Sequence, residues 1–143
     1  MIFVIREIDL NDPQELRLAF AVISQLRTHI DFETYQRLIH KMKNEAYELW
    51  VYEEGSEIKG VMGVREYTDF VRGTHLYIDD LVVDEKFRSH KVGAKLLSFA
   101  EEESKRRGLP SLRLACAMSN ISGMKFYERE SWTKRSYSYV KKL

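Results

Sequence analysis

Apolar and polar positions alternate over residues 2–8, which predicts a first strand. The period then lengthens. Leu16, Phe20, Ile23 and Leu26 recur at three- and four-residue spacing behind Asp12 and Pro13. Asp12 is a good N-cap and Pro13 suits the first helical position, so a helix is predicted there. A second stripe begins near Asp31 with Phe32, Tyr35, Leu38, Ile39 and Met42, while Arg37, Lys41 and Lys43 take the solvated side. Residues 48–52 and 58–67 read as strands joined by the turn 53–57, a hairpin. Gly60 and Gly63 inside its second strand predict a bulge or a close approach. A loop at 68–74 leads into an apolar strand at 77–83 and then the longest helix, from about residue 91 to 107, with Val92, Leu96, Leu97 and Ala100 on its buried face. Gly108 and Pro110 stop that helix. Residues 111–117 form a strand that ends apolar on both faces, residues 121–130 a short helix, and the alternating aromatic and charged tail at 132–142 a closing strand. The predicted order is β-α-α-β-β-β-α-β-α-β, an α/β (α+β) architecture in one domain over residues 1–143.

Composition narrows the function. A chain of 143 residues buries roughly two-thirds of its unfolded surface without staples. Twenty-three basic against 22 acidic residues, a net charge of +1, give no reason to expect a nucleic-acid or membrane surface. Recognition of an anion must therefore be local. The single cysteine, Cys116, has no internal disulfide partner and reads as a core residue of a reducing compartment. No apolar run approaches the ~18 residues that span a bilayer, and the N-terminus lacks a secretory pattern, so a soluble, cytoplasmic protein is expected. His29, His40, His75 and His90 are scattered without ligand spacing, and no metal site is expected.

One stretch carries chemistry. The apolar strand at 77–83 empties through Arg88, Ser89, His90 and Lys91 into a helix that opens with Val92, Gly93 and Ala94. The first N–H groups of a helix have no intrahelical partners, and the helix dipole adds about half a positive charge. Arg88 supplies a whole charge beside them, Lys91 and Lys95 deepen the field, and Gly93 lets the backbone approach a bulky guest. The expected guest is a phosphate or pyrophosphate.

The run from Leu81 to Ala94, with Asn120 and, seven residues on, Tyr127, resembles the GNAT superfamily of acyl-CoA-dependent N-acetyltransferases. The family's signature is Arg or Gln, two residues, Gly, one residue, then Gly or Ala. Arg88 and Gly93 match it, and Lys91 stands where the first glycine belongs. The resemblance implies a mixed central sheet of about 6–7 strands, splayed between the fourth and fifth, with about four flanking helices. It implies acetyl-CoA as cosubstrate, its pantetheine arm on the backbone of Leu81, Val82 and Val83, and its pyrophosphate on the backbone N–H groups from Arg88 through Ser89, His90, Lys91, Val92 and Gly93 to Ala94. Asn120 matches a position that contacts the cofactor arm, and Tyr127 the general acid beside the departing sulfur.

The implied partner is a small amine or a peptide amine, and a homodimer is expected from the family. The amine attacks the thioester directly in a ternary complex, since no base is identified beside Cys116 for a covalent route. Asp79 and Asp80 are adjacent in a strand and point to opposite faces unless a bulge intervenes. Asp79 is the expected binding group or base for the acceptor. Arg65, Tyr67 and the loop at 68–73 could border the acceptor site. Two other classes stand beside the enzyme: a catalytically silent acyl-CoA-binding module, and an anion-binding α/β protein with another ligand. A dinucleotide or nucleoside-triphosphate site is disfavoured, because neither glycine-rich fingerprint occurs.

Overall fold

The computed structural model describes residues 2–143. Five strands stand in the order β1-β2-β3-β4-β5: β1 Phe3–Glu7, β2 Tyr47–Glu54, β3 Glu57–Asp69, β4 Gly73–Val83 and β5 Leu112–Leu114. β1 through β4 pair antiparallel, each with the next. β5 joins beside β4, where the Leu76 N–H donates to the Ser111 carbonyl at 3.2 Å. The helices are α1 Pro13–Ile23, α2 Phe32–Met42, α3 Val92–Arg106 and α4 Ile121–Arg129. Two compact units result, the first ending at Arg113 and the second being Leu114–Leu143.

Within the first unit, the alternation of β2 explains the layering. Tyr47, Leu49 and Val51 join Leu16, Ala19, Val22 and Ile23 of α1 and Tyr35 and Ile39 of α2 in the main core. The residues between them face the other way: Trp50 packs on Phe99 of α3, ring centres 4.7 Å apart. Leu49 is 0% exposed, so its truncation to alanine costs about 2–5 kcal/mol. Asp12 caps α1 as the sequence predicts, and Asp31, where the second helix was expected to begin, caps α2. Asp12 Oδ1 accepts from Gln14 N at 2.9 Å, and Asp31 Oδ1 from Thr34 N at 2.8 Å.

Gly60 meets the close-approach expectation: a Cβ there would stand 2.8 Å from Val92 Cγ1 and 2.9 Å from Leu96 Cδ1. The absent side chain lets the first turn of α3 lie directly on β3. A bulge follows at the other expected place, since Gly63 pairs with Asp80 and Val64 with Ile78, which leaves Asp79 as the extra residue of β4.

Four expectations need correction, the first being the strand at 111–117, which is only Leu112–Leu114, with Ala115 and Ala117 exposed and Cys116 half-buried. The sheet has five strands among the described residues, not 6–7. Residues 132–142 form no strand; residues 133–143 are exposed throughout. Alternation supplies strand propensity, but a strand also needs ladder bonds to a neighbour, and this segment is in none of the strand pairings. The loop at 68–74 is largely strand: β3 runs to Asp69 and β4 starts at Gly73. Asp69 Oδ1 accepts from Val71 N at 3.0 Å and Arg72 N at 2.6 Å, which tightens the turn enough for the ladder to continue almost to its tip.

Candidate active site

The link between β4 and α3 is held at both ends and open in the middle. Asp84 is buried; its N–H donates to the Lys59 carbonyl at 2.9 Å, and its carboxylate accepts from Lys86 N at 3.0 Å. Gln25 Oε1, just beyond α1, accepts from Glu85 N at 3.0 Å. A short 3-10 turn, Glu85–Phe87, follows. Arg88, Ser89, His90 and Lys91 are then exposed, Ser89 and Lys91 with φ of 73° and 63°. Lys91 is the N-cap of α3 and makes no side-chain capping bond, so no side chain closes off the first-turn N–H groups. Consecutive turns of this kind aim backbone N–H groups into one concavity, which suits a phosphate oxygen better than any other common group.

Of the three cations assigned to this field, Arg88 and Lys91 lie in the loop and Lys95 does not serve it. The Lys95 ammonium sits 4.7 Å from the centre of the Phe3 ring and 3.5 Å from the Tyr52 hydroxyl, on the β1–β2 side. Helical spacing alone gave Lys95 no direction; Phe3 and Tyr52, stacked with centres 4.6 Å apart, draw it away.

The bulge decides where the two aspartates go. Tyr47 and Arg65 are cross-strand partners on one face of the sheet. Asp79 meets Arg65 in a two-pronged pair, at 2.8 and 2.9 Å, and Arg65 is shared with Glu45 at 2.7 Å. Asp80 meets Tyr47 Oη at 3.4 Å and Arg27 Nε at 2.9 Å. Both carboxylates therefore serve the same face, because the extra residue cancels the alternation. Burial pushes the Asp80 carboxyl above its ordinary range, against the opposing pull of Arg27.

Asp80 also lines a cavity of about 270 Å³ beneath α1 and α2, with Tyr35 and Tyr47 beside it. Residues of the segment joining the two helices, Arg27, His29 and Ile30, contribute to its wall. Burial and the Asp80 charge raise both phenols above the ordinary tyrosine value, so both keep their protons. The Tyr35 hydroxyl is buried and has no partner. Sequence reading assigned Tyr35 only to an apolar stripe and did not single out Tyr47. The available signal was Gly63, whose missing Cβ makes room for the Tyr47 phenol.

Of the residues expected to border the acceptor site, Arg65 is bonded to Asp79, and Tyr67 packs on Arg113. Tyr67 and Tyr77 flank the guanidinium of Arg113, at 4.9 and 4.3 Å from their ring centres, and Arg113 Nε donates to Nε2 of the buried His75 at 3.0 Å.

In the second unit, Asn120 is the N-cap of α4, its Oδ1 accepting from Gly123 N at 3.0 Å. Gly123 leaves the space that this cap requires. Tyr127 rests edge-on against Trp132, with centres 5.9 Å apart, and the Trp132 N–H donates to the Tyr127 carbonyl at 2.9 Å. Burial of its hydroxyl, helped by Cys116, pushes Tyr127 up to about 12. Burial also raises the Cys116 thiol, which makes it a poorer nucleophile at neutral pH. No cluster of His, Cys, Asp and Glu suited to a metal is present, and no helix is long and apolar enough to cross a membrane, among the described residues.

The model of the acetyltransferase (GNAT) family matches residues 14–131. An N-acetyltransferase of Bacillus subtilis, YhdJ, itself uncharacterized, is 31% identical over 92% of this chain and 94% of its own. Among solved structures, a ribosomal-protein-alanine N-acetyltransferase of Brucella melitensis superposes with a TM-score of 0.81 at 16% identity, over 99% of this chain and 100% of the other. An aminoglycoside N-acetyltransferase in complex with coenzyme A superposes with a TM-score of 0.82 at 14% identity, over 99% and 96%. At those identities the structures speak for the fold, while the family model and the Bacillus relative speak for descent: the chain belongs to the GNAT family of acetyltransferases.

Proposed function

We propose that the protein transfers the acetyl group of acetyl-CoA to a primary amine by direct attack. The observation that carries this reading is the open, uncapped start of α3 behind two left-handed residues and Arg88, a cradle whose donors fit a pyrophosphate. In this reading the backbone N–H groups from Arg88 to Ala94 hold the pyrophosphate. Leu81, Val82 and Val83, bonded on one edge to β3 at Met62, Val61 and Gly60, offer their other edge to the pantetheine arm. Asn120 contributes its amide nitrogen, since its Oδ1 is occupied by the cap. Bound acetyl-CoA supplies an acetyl group activated as a thioester.

The residues divide the rest of the work. Asp80, rather than Asp79, receives the amine: Arg65 grips both oxygens of Asp79, whereas Arg27 holds only one oxygen of Asp80, which lines a cavity and whose raised pKa moves it toward the range a base needs. A proton leaves the ammonium for Asp80 or a water on it, the nitrogen lone pair forms the new N–C bond, and the C–S bond breaks. Tyr127, protonated throughout the neutral range, gives its proton to the departing sulfur. Cys116, with its thiol raised, stays outside the reaction. The test is release of free thiol from acetyl-CoA in the presence of a panel of amines. Release that requires both substrates supports the reading. Binding of acetyl-CoA without release for any amine gives the chain the silent-module role instead.

A further inference from the structure

We infer that the cavity beneath α1 and α2 selects a small primary amine with a compact apolar body, a branched alkyl or aryl group, and that Tyr35 is its specificity-determining polar contact. The inference rests on the transferase reading and adds the substrate class. Three oxygen-bearing side chains line the cavity, Asp80, Tyr47 and Tyr35, and the first two already meet at 3.4 Å. Tyr47 gives its proton to Asp80 and keeps its lone pairs. Tyr35 is 6% exposed, its oxygen is buried and unpartnered, and a buried hydroxyl without a partner is costly unless something visits it. A primary ammonium has three N–H donors and matches three such acceptors.

The remaining wall defines what the amine carries. Apart from Arg27 and His29, it consists of Ile23, Ile30, Leu38, Ile39 and Met42, which offer hydrocarbon and no hydrogen bonds. Sugar hydroxyls or the inner nitrogens of a polyamine would be stripped of water there without replacement. A second cation would also face Arg27, which is tied to Asp80 and to the Asp79 carbonyl at 2.9 and 3.1 Å. At about 270 Å³ the cavity falls just below the roughly 300–1,000 Å³ of sites for drug-sized ligands, which favours a short guest.

The experiment measures thiol release from acetyl-CoA with phenethylamine and isoamylamine against spermidine and glucosamine, in the wild type, Tyr35→Phe and Leu38→Trp. The expected result is a kcat/KM at least about tenfold higher for the two apolar amines, and a KM for phenethylamine raised about ten- to a hundredfold in Tyr35→Phe, the loss falling on KM rather than kcat. Leu38→Trp, which fills the cavity from its half-buried rim, raises the same KM and serves where Tyr35→Phe does not fold. Higher kcat/KM for spermidine or glucosamine, or an unchanged KM in the folded variants, overturns the pocket assignment and leaves the transferase reading standing. If no amine releases thiol, that reading fails instead. Calorimetric titration of phenethylamine into the wild type and Tyr35→Phe then decides the pocket alone: binding weakened in the variant upholds it, and equal or absent binding refutes it.

Discussion

The phenol of Tyr47 occupies the space into which a side chain on Gly63 would project, so a side chain absent from β3 determines where a hydroxyl of β2 stands. That hydroxyl reaches Asp80 at 3.4 Å. Gly63→Ala is therefore expected to displace Tyr47, to lower stability by about 1–3 kcal/mol through overpacking, and to raise the KM for the amine. Denaturant unfolding and steady-state kinetics on the same variant check both. An alanine variant with wild-type stability and KM would show that the ring relocates freely and that its position does not matter.

Tyr127→Phe removes the proposed acid with little change in packing. Turnover is expected to fall about 10²–10⁴-fold while acetyl-CoA binding is nearly preserved. Because burial holds the phenol up to about 12, the wild-type pH–rate profile should rise with pH as the amine loses its proton and show no descending limb from Tyr127 below about pH 10. A descending limb near neutrality that disappears in the phenylalanine variant would mean that Tyr127 titrates there, contrary to the geometry.

Lys91 bears a Cβ in the left-handed region, at φ 63°. Lys91→Gly relieves that strain and is expected to raise stability by about 0.5–1 kcal/mol. The backbone cradle survives, so acetyl-CoA should still bind. Thermal unfolding with and without acetyl-CoA reports both quantities, and a fall in Tm without ligand would refute the strain argument.

Near the end of α3, Glu103 accepts from Arg106 at 2.7 and 2.8 Å and from Arg107 at 2.9 Å, while Arg107 reaches Glu48 on β2 at 2.7 Å. The Arg106 bonds first, then those of Arg107, lower the Glu103 carboxyl to about 2. A carboxylate depressed by folding contributes stability that is fully present above its unfolded value of about 4.5 and is lost as pH falls through about 2. Arg106 is exposed while Glu103 and Arg107 are half-buried, so solvent screens the network in part and the contribution is on the order of 1 kcal/mol. Glu103→Gln should be less stable than wild type at pH 7, and the gap should narrow between about pH 4.5 and 2. A gap independent of pH would assign the loss to packing.

Local signals read well from sequence where the cause is local. The Asp12 cap and the stripes of α2 and α3 appear as predicted, and that of α1 as far as Ile23, with Leu26 exposed beyond its end, because capping and helical periodicity act within a few residues. The paired glycines of β3 were legible as a warning of close approach, yet not as its content, since Val92 and Tyr47 come from distant parts of the chain. Asp79 and Asp80 could not be told apart by alternation, because the bulge that turns both to one face is a property of pairing. The tail failed for the opposite reason: Tyr137 and Tyr139 carry strand propensity, but propensity does not supply an edge to bond. Tyr35 is the instructive miss, a residue placed in a hydrophobic stripe whose hydroxyl ends buried without a partner.

The most direct test of the central claim is calorimetric titration of acetyl-CoA into the purified wild type and Gly93→Val, with ATP as the comparison ligand. The account predicts that acetyl-CoA binds the wild type, that ATP does not compete for the pantetheine arm's share of that affinity, and that Gly93→Val, which crowds the buried first turn of α3, abolishes binding. Absence of acetyl-CoA binding to the wild type, or equal affinity in a folded Gly93→Val, would contradict the assignment of this loop as the cofactor site.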